Sequence, residues 1–184
     1  MRFLGRWLSH SLATALALVL GIMAMQAPAF TRDYADALLQ VATELRRDVD
    51  QREDSARHFY GIAIAQDDEL INALQAREPS NAESLARSLD RIRNLQAAYD
   101  NIDKTSPLLQ PLMALRGAWG DTNGYRAAIW KTSLRTYHAQ LDLGLASAVY
   151  GLAGLMLGSL IAQLVLAPFR RGVARRPFSA RTRW

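Results

Sequence analysis

The chain has 184 residues, with 22 Lys and Arg against 17 Asp and Glu, a formal net charge of +5, a mean hydropathy of −0.06 and no cysteine. The missing cysteine excludes disulfides, thiolate metal sites, iron–sulfur clusters and a Cys nucleophile. A basic average ordinarily points to nucleic acid or another acidic surface, but the charge here is segregated: every acid lies between Asp33 and Asp142, the 14 bases from Arg32 to Asp142 leave that stretch a net of −3, and the other eight bases are arginines at the two ends.

In chain order, Arg2 and Arg6 lead into Trp7–Phe30, 24 residues without Asp, Glu, Lys or Arg. At ~1.5 Å per residue a helix of that length covers ~36 Å, more than the ~30 Å hydrocarbon core of a bilayer. Residues 7–30 are therefore predicted as a first transmembrane helix, with 1–6 as a cytoplasmic N-terminus. Ala27-Pro28-Ala29 has the outline of a signal-peptidase site, so a cleaved signal peptide is the competing reading. The apolar run exceeds the usual ~7–15 residues of a signal core, and proline is unfavourable at that site, which favours an uncleaved anchor.

Residues 31–142 read as a helical domain. Thr31 is expected to cap a helix that runs to about Tyr60, with Asp33 in its first turn. Tyr34, Leu38, Val41, Leu45 and Val49 recur at spacings of three and four and mark its apolar face. Arg46–Asp50, Asp48–Arg52 and Glu53–Arg57 are expected as i,i+4 pairs on the opposite, solvated face. A shorter helix is predicted over Gln66–Arg77, with Asp67, Asp68 and Glu69 at its positive end. Ser80-Asn81-Ala82-Glu83 then reads as a capping box. Leu85, Leu89, Ile92, Tyr99 and Ile102 continue that helix on one face. Ser106-Pro107 starts a further short helix, Leu108–Arg116, and Gly117, Gly120 and Gly124 form the main loop. From Tyr125 no Pro or Gly occurs until Gly144, so the next helix is expected to run into the second span without a break.

That second span is the uncharged run Leu143–Ala167, assigned with Pro168 as residues 143–168. Gly144, Ser147, Gly151, Gly154 and Gly158 fall on one face of it, and Ser9, Ala13, Ala17 and Gly21 on one face of the first. Small residues let helix backbones approach closely in lipid, so these rows are candidates for helix packing, either between the two spans or with a second protein. His10 and Gln163 are polar groups inside the spans; an antiparallel arrangement brings both to the cytoplasmic side, where they could share a hydrogen bond. Residues 169–184 form an arginine-rich tail. Arg170, Arg171, Arg175, Arg176, Arg181 and Arg183 can hold a topology signal and also bind anionic lipid headgroups. Basic residues are retained on the cytoplasmic side, and both ends are basic, so the two termini are expected in the cytoplasm and the middle domain in the periplasm. The predicted fold class is all-α: a two-span transmembrane hairpin with a small helical bundle outside the cytoplasm.

The run Gln26-Ala27-Pro28-Ala29-Phe30-Thr31-Arg32-Asp33-Tyr34, placed directly after an N-terminal span, resembles the start of a proteobacterial inner-membrane family known as domain of unknown function 2937. The layout resembles it over nearly the whole chain, and Trp130 and the stretch Tyr150–Gly158 fit its pattern near the second span. Where that family tends to have prolines, this chain has Tyr137-His138-Ala139-Gln140-Leu141-Asp142. The resemblance implies an inner-membrane location and supplies no activity.

Catalytic constellations are missing from the sequence. His10, His58 and His138 are far apart, Asp54 and His58 make only two ligands, and no Glu-x-x-His, phosphate loop or Gly-x-Ser-x-Gly occurs. No cofactor or metal and no nucleic-acid partner is expected; the expected partners are membrane lipids and another membrane protein or a second copy. The leading expectation is a non-enzymatic inner-membrane interaction or assembly subunit. A periplasmic binding or sensing module relaying through a partner is the alternative, and a membrane enzyme with an unrecognised site a third. An exposed apolar stripe on the helical domain would favour the first, a polar-lined pocket the second, and a cluster of three acids or histidines the third.

Overall fold

The computed structural model describes residues 2–61, 66–139 and 144–174; for residues 2–6, 9 and 166–174 it describes the backbone alone. The elements are α1 (Arg2–Met25), α2 (Ala27–Tyr60), α3 (Asp67–Gln75), α4 (Pro79–Asp103), α5 (Gln110–Trp119), α6 (Tyr125–Thr136) and α7 (Leu145–Ala174), and no strand occurs among the described residues. The chain divides into two compact units, one from its two ends and one from its middle, Pro28–Ala139.

In the end unit α1 packs against α7. Gly158 meets Ala17, Gly154 meets Leu20, Gly21 and Ala24, and Gly151 meets Met25. Numbers rise along one helix as they fall along the other, so the pair is antiparallel. α1 stops at Met25, and the Gln26 N–H donates to the Met23 carbonyl at 3.2 Å in the turn that follows. The apolar run continues to Phe30, but Phe30 is in the core of the middle unit.

The middle unit is organised by α2 and α4, which run in opposite directions along two apolar clusters. In one, Phe30, Tyr34, Leu38 and Ala42 of α2 pack with Leu95, Ala98 and Ile102 of α4, Ala114 and Ala118 of α5 and Ile129 of α6. In the other, Val49 and Ala56 pack with Leu85, Leu89 and Ile92 and with Leu70 and Leu74 of α3. Phe30 and Tyr34 close the first cluster edge-on against Trp130, with ring centroids 4.6 and 5.0 Å apart.

Several local expectations are corrected. α2 begins at Ala27, with Pro28 in its first turn, where a missing N–H costs nothing. Thr31 is therefore buried within the helix and is not its cap. Ser80 is likewise inside α4: Pro79 takes the first helical position and Glu78 the cap position. Gly117 lies within α5, which continues to Trp119. α6 ends at Thr136, with Tyr137 extended, so it does not run on unbroken into α7. It starts after Gly124, whose φ of +75° is a conformation that glycine adopts without strain. Both Asp121 carboxylate oxygens close that turn: Oδ2 accepts from the Arg126 N–H at 2.6 Å and Oδ1 from the Asn123 N–H at 3.3 Å.

Candidate functional site

In the end unit Ala17 and Gly21 of α1 face Gly151, Gly154 and Gly158 of α7 across the contact between the two helices. Ala17, Gly21, Ser147, Gly151, Gly154 and Gly158 are buried, Ala13 and Gly144 are half-buried, and the Ser9 side chain lies outside the described residues. A Cβ added to Gly154 would meet the Leu20 carbonyl oxygen at 2.8 Å, and one added to Gly158 would meet the Ala17 Cα at 2.8 Å. The two backbones touch where side chains are absent. His10 and Gln163, on different helices, line one recess of about 310 Å³ together with Thr14, Ser159 and Leu155. Thr14 spends its hydroxyl on the His10 carbonyl, 3.0 Å away. Arg170 and Arg171 lie on the α7 backbone with their side chains outside the described set, and Arg175, Arg176, Arg181 and Arg183 lie outside the described residues.

The middle unit gathers its charges where α2, α3 and α4 meet. Arg46 binds Asp67 through two nitrogens, at 2.6 and 3.3 Å, and reaches Asp50 at 2.8 Å. Its hydrogen bond holds the Asp67 carboxyl below the usual range. Arg93 of α4 reaches Asp68 at 3.1 Å, so the acidic start of α3 is tied to both neighbouring helices. Glu53 was expected on the solvated face, but its side chain is 2% exposed. One oxygen lies 3.3 Å from Arg57 and the other has no hydrogen-bond partner. Burial pushes this carboxyl above its ordinary value, and the charge of Asp67 adds to the effect. At the start of α4, Glu78 accepts from the Tyr60 hydroxyl and, at 3.0 Å, from Asn81. These bonds, Tyr60 first, lower its pKa. Burial raises the Tyr34 hydroxyl to about 12. No group of three or more His, Asp or Glu comes within metal-binding reach among the described residues.

Two surfaces of this unit stand out. A recess of about 570 Å³ opens beside Gln51, Arg52 and Tyr60, and the Phe59 ring next to it is 80% exposed. On α5 the usual amphipathic pattern is inverted. Pro111, Ala114 and Ala118 turn inward, while Leu109 before the helix, then Leu112, Met113 and Trp119, are exposed. A second recess, of about 380 Å³, runs beside α5 with Tyr34, Asn101, Arg116 and Arg126 among its lining residues. The outward α5 face was not singled out in the sequence. Its signal is the offset between two rows of the same helix, small residues at 111, 114 and 118 and large ones at 109, 112 and 113.

The chain belongs to the family described as protein of unknown function (DUF2937), whose model matches residues 8–175. No curated protein and no solved structure matches it.

Proposed function

We propose that this member of the family is a two-span membrane protein of the bacterial inner membrane, with both termini cytoplasmic and the middle helical unit periplasmic, acting without catalysis as an interaction or assembly subunit. The observation that carries the reading is the exposure of the apolar helices. Their most apolar windows are only 22% and 28% buried, so Leu18, Ile22, Leu152 and Leu160 point outward. A core helix of a soluble protein buries such residues, and hydrocarbon is the solvent that suits them as they stand. The arginines at both ends support the orientation. Pro28 and Ala29, buried in the first turn of α2, support an uncleaved first span.

Support for a contact role comes from the large apolar ring left exposed on the middle unit, Phe59. The glycine seam is already occupied by the chain's own helices, so a partner would meet other surfaces. The test is purification in mild detergent with native sizing and mass spectrometry of what comes with it. A stoichiometric partner or a defined oligomer is the expected outcome, and a lone monomer without partner overturns the interaction role.

A second reading, a binding module that relays through a partner, is favoured by the recess beside α5. Arg116, Arg126, Asn101 and the Tyr34 ring line it together with Ile102 and Met113. Saturable calorimetric binding of a small organic carboxylate by the full chain, lost in Arg116→Ala, would select it.

A further inference from the structure

We infer that the outward face of α5 docks on an anionic lipid surface. The inversion of the helix is the first reason. Leu109, Leu112, Met113, Arg116 and Trp119 stand at i, i+3, i+4, i+7 and i+10, which places them on one side of the helix. Leu109 is 52% exposed, Leu112 57% and Trp119 80%. Pro111, Ala114 and Ala118 occupy the core side. A helix shaped only by its own bundle turns its largest apolar residues inward. This one presents them outward, with one proline and two alanines facing the core.

Charge selects the occupant. No acid occurs between Asp103 and Asp121, in a region whose net charge is negative; Lys104 is held by Asp100 at 2.8 Å, so Arg116 is the base that this segment offers. The surrounding unit repels an anionic surface and this segment attracts it. Arg116 stands within the apolar row, where its stem can lie among acyl chains while the guanidinium reaches phosphate. Trp119 ends the row with the ring type that concentrates at headgroup level. A protein partner accounts for the apolar row but not for the absence of acid along it.

The inference rests on the membrane reading. The middle unit follows α1 and precedes α7 in the chain, so the bilayer is always close, and a single short helix needs only weak intrinsic affinity.

The absence of native cysteine allows a direct test on the full chain. Leu112→Cys, Leu164→Cys and Gln96→Cys are each labelled with a small fluorophore. The proteins are reconstituted in vesicles of phosphatidylcholine with or without phosphatidylglycerol, carrying nitroxide lipids. Leu164, exposed on α7, reports the span, and Gln96, exposed on α4, reports solvent. The inference expects quenching at 164 in both vesicles, quenching at 112 that is stronger with phosphatidylglycerol and relieved by salt, and none at 96. Arg116→Gln should lower the docked-to-free ratio at 112 roughly fivefold. Quenching at 164 without quenching at 112 overturns the inference and leaves the membrane reading standing. Quenching at neither overturns both. A label at 112 that is shielded from aqueous iodide yet untouched by nitroxide lipid means a protein or a second copy covers the face, and it also overturns the inference.

Discussion

Glu53 shows how one residue on a helical stripe can reverse its expected role. Its i,i+4 partner Arg57 suggests a solvated pair, but Val49, Glu53 and Ala56 also continue the inward stripe of α2. The inward position prevails because α3 and α4 cover that side of the helix. The carboxyl is left with one bonded and one unpartnered oxygen, and its folded pKa lies above the ordinary 4.5. In the window just above that value the folded chain holds a proton that the unfolded chain has released. Stability therefore falls as pH rises through the window. Asp67 and Glu78 have the opposite sign: their depressed pKa values contribute stability at neutral pH that is lost as acid protonates them. Glu53→Gln removes the penalty of the buried charge while keeping an oxygen for Arg57. It should stabilise the protein by about 1 kcal/mol at pH 8, with the gain shrinking toward pH 5. Circular-dichroism melts of the full chain in mild detergent read this directly. A lower midpoint for the variant at pH 8 would show that the carboxylate is better solvated than its burial indicates.

Among the elements, α1 and α7 depend on surfaces without side chains, and the three buried α7 glycines differ in what faces them. At Gly154 and Gly158 the nearest groups include the backbone of α1, with the Leu20 carbonyl oxygen and the Ala17 Cα both at 2.8 Å from an added Cβ. At Gly151 they are the Cγ and Sδ of Met25, a side chain with three rotatable bonds. Gly154→Ala and Gly158→Ala should each cost about 1–3 kcal/mol by forcing the helices apart, and Gly151→Ala should cost less because Met25 can turn away. Oxidative cross-linking between Thr14→Cys and Ser159→Cys, which line one recess, should slow in the first two backgrounds and persist in the third. Equal slowing in all three would refute the distinction. The rows of small residues are visible in the sequence, but which glycine faces backbone is not, because that depends on the register between two distant segments. The same division runs through the middle unit. Tyr34, Leu38 and Val49 could be placed on the inner face of α2 from spacing alone. The end of α6 could not, since no Pro or Gly lies between Tyr125 and Gly144. The helix stops where Tyr137 packs edge-on against Phe30 at 5.5 Å, a contact between residues far apart in sequence. The caps at Thr31 and Ser80 failed for a local reason, because Pro28 and Pro79 claim the first turns of their helices.

At the scale of the whole molecule, the charge segregation is the feature that couples sequence to topology. Eight arginines lie at the ends and a net of −3 lies between the apolar helices. The summed charge of +5 describes neither region. On the proposed topology the arginines remain in the cytoplasm because moving them across the bilayer is unfavourable, while acidic residues contribute little to orientation. The two ends are unequal, with two arginines in the first turns of α1 and six from Arg170 onward. The C-terminal set should therefore dominate, so that Arg2→Gln with Arg6→Gln leaves the orientation intact. Fusions read this out. Alkaline phosphatase placed in the loop after Asn123 should be active, and placed after Trp184 inactive, in both the natural chain and the double variant. Replacing the six C-terminal arginines with glutamine should produce a mixed population, with phosphatase activity rising after Trp184. Full activity after Trp184 in the natural chain would overturn the orientation. Activity after Trp184 in the double variant alone would show that the two N-terminal arginines set the topology.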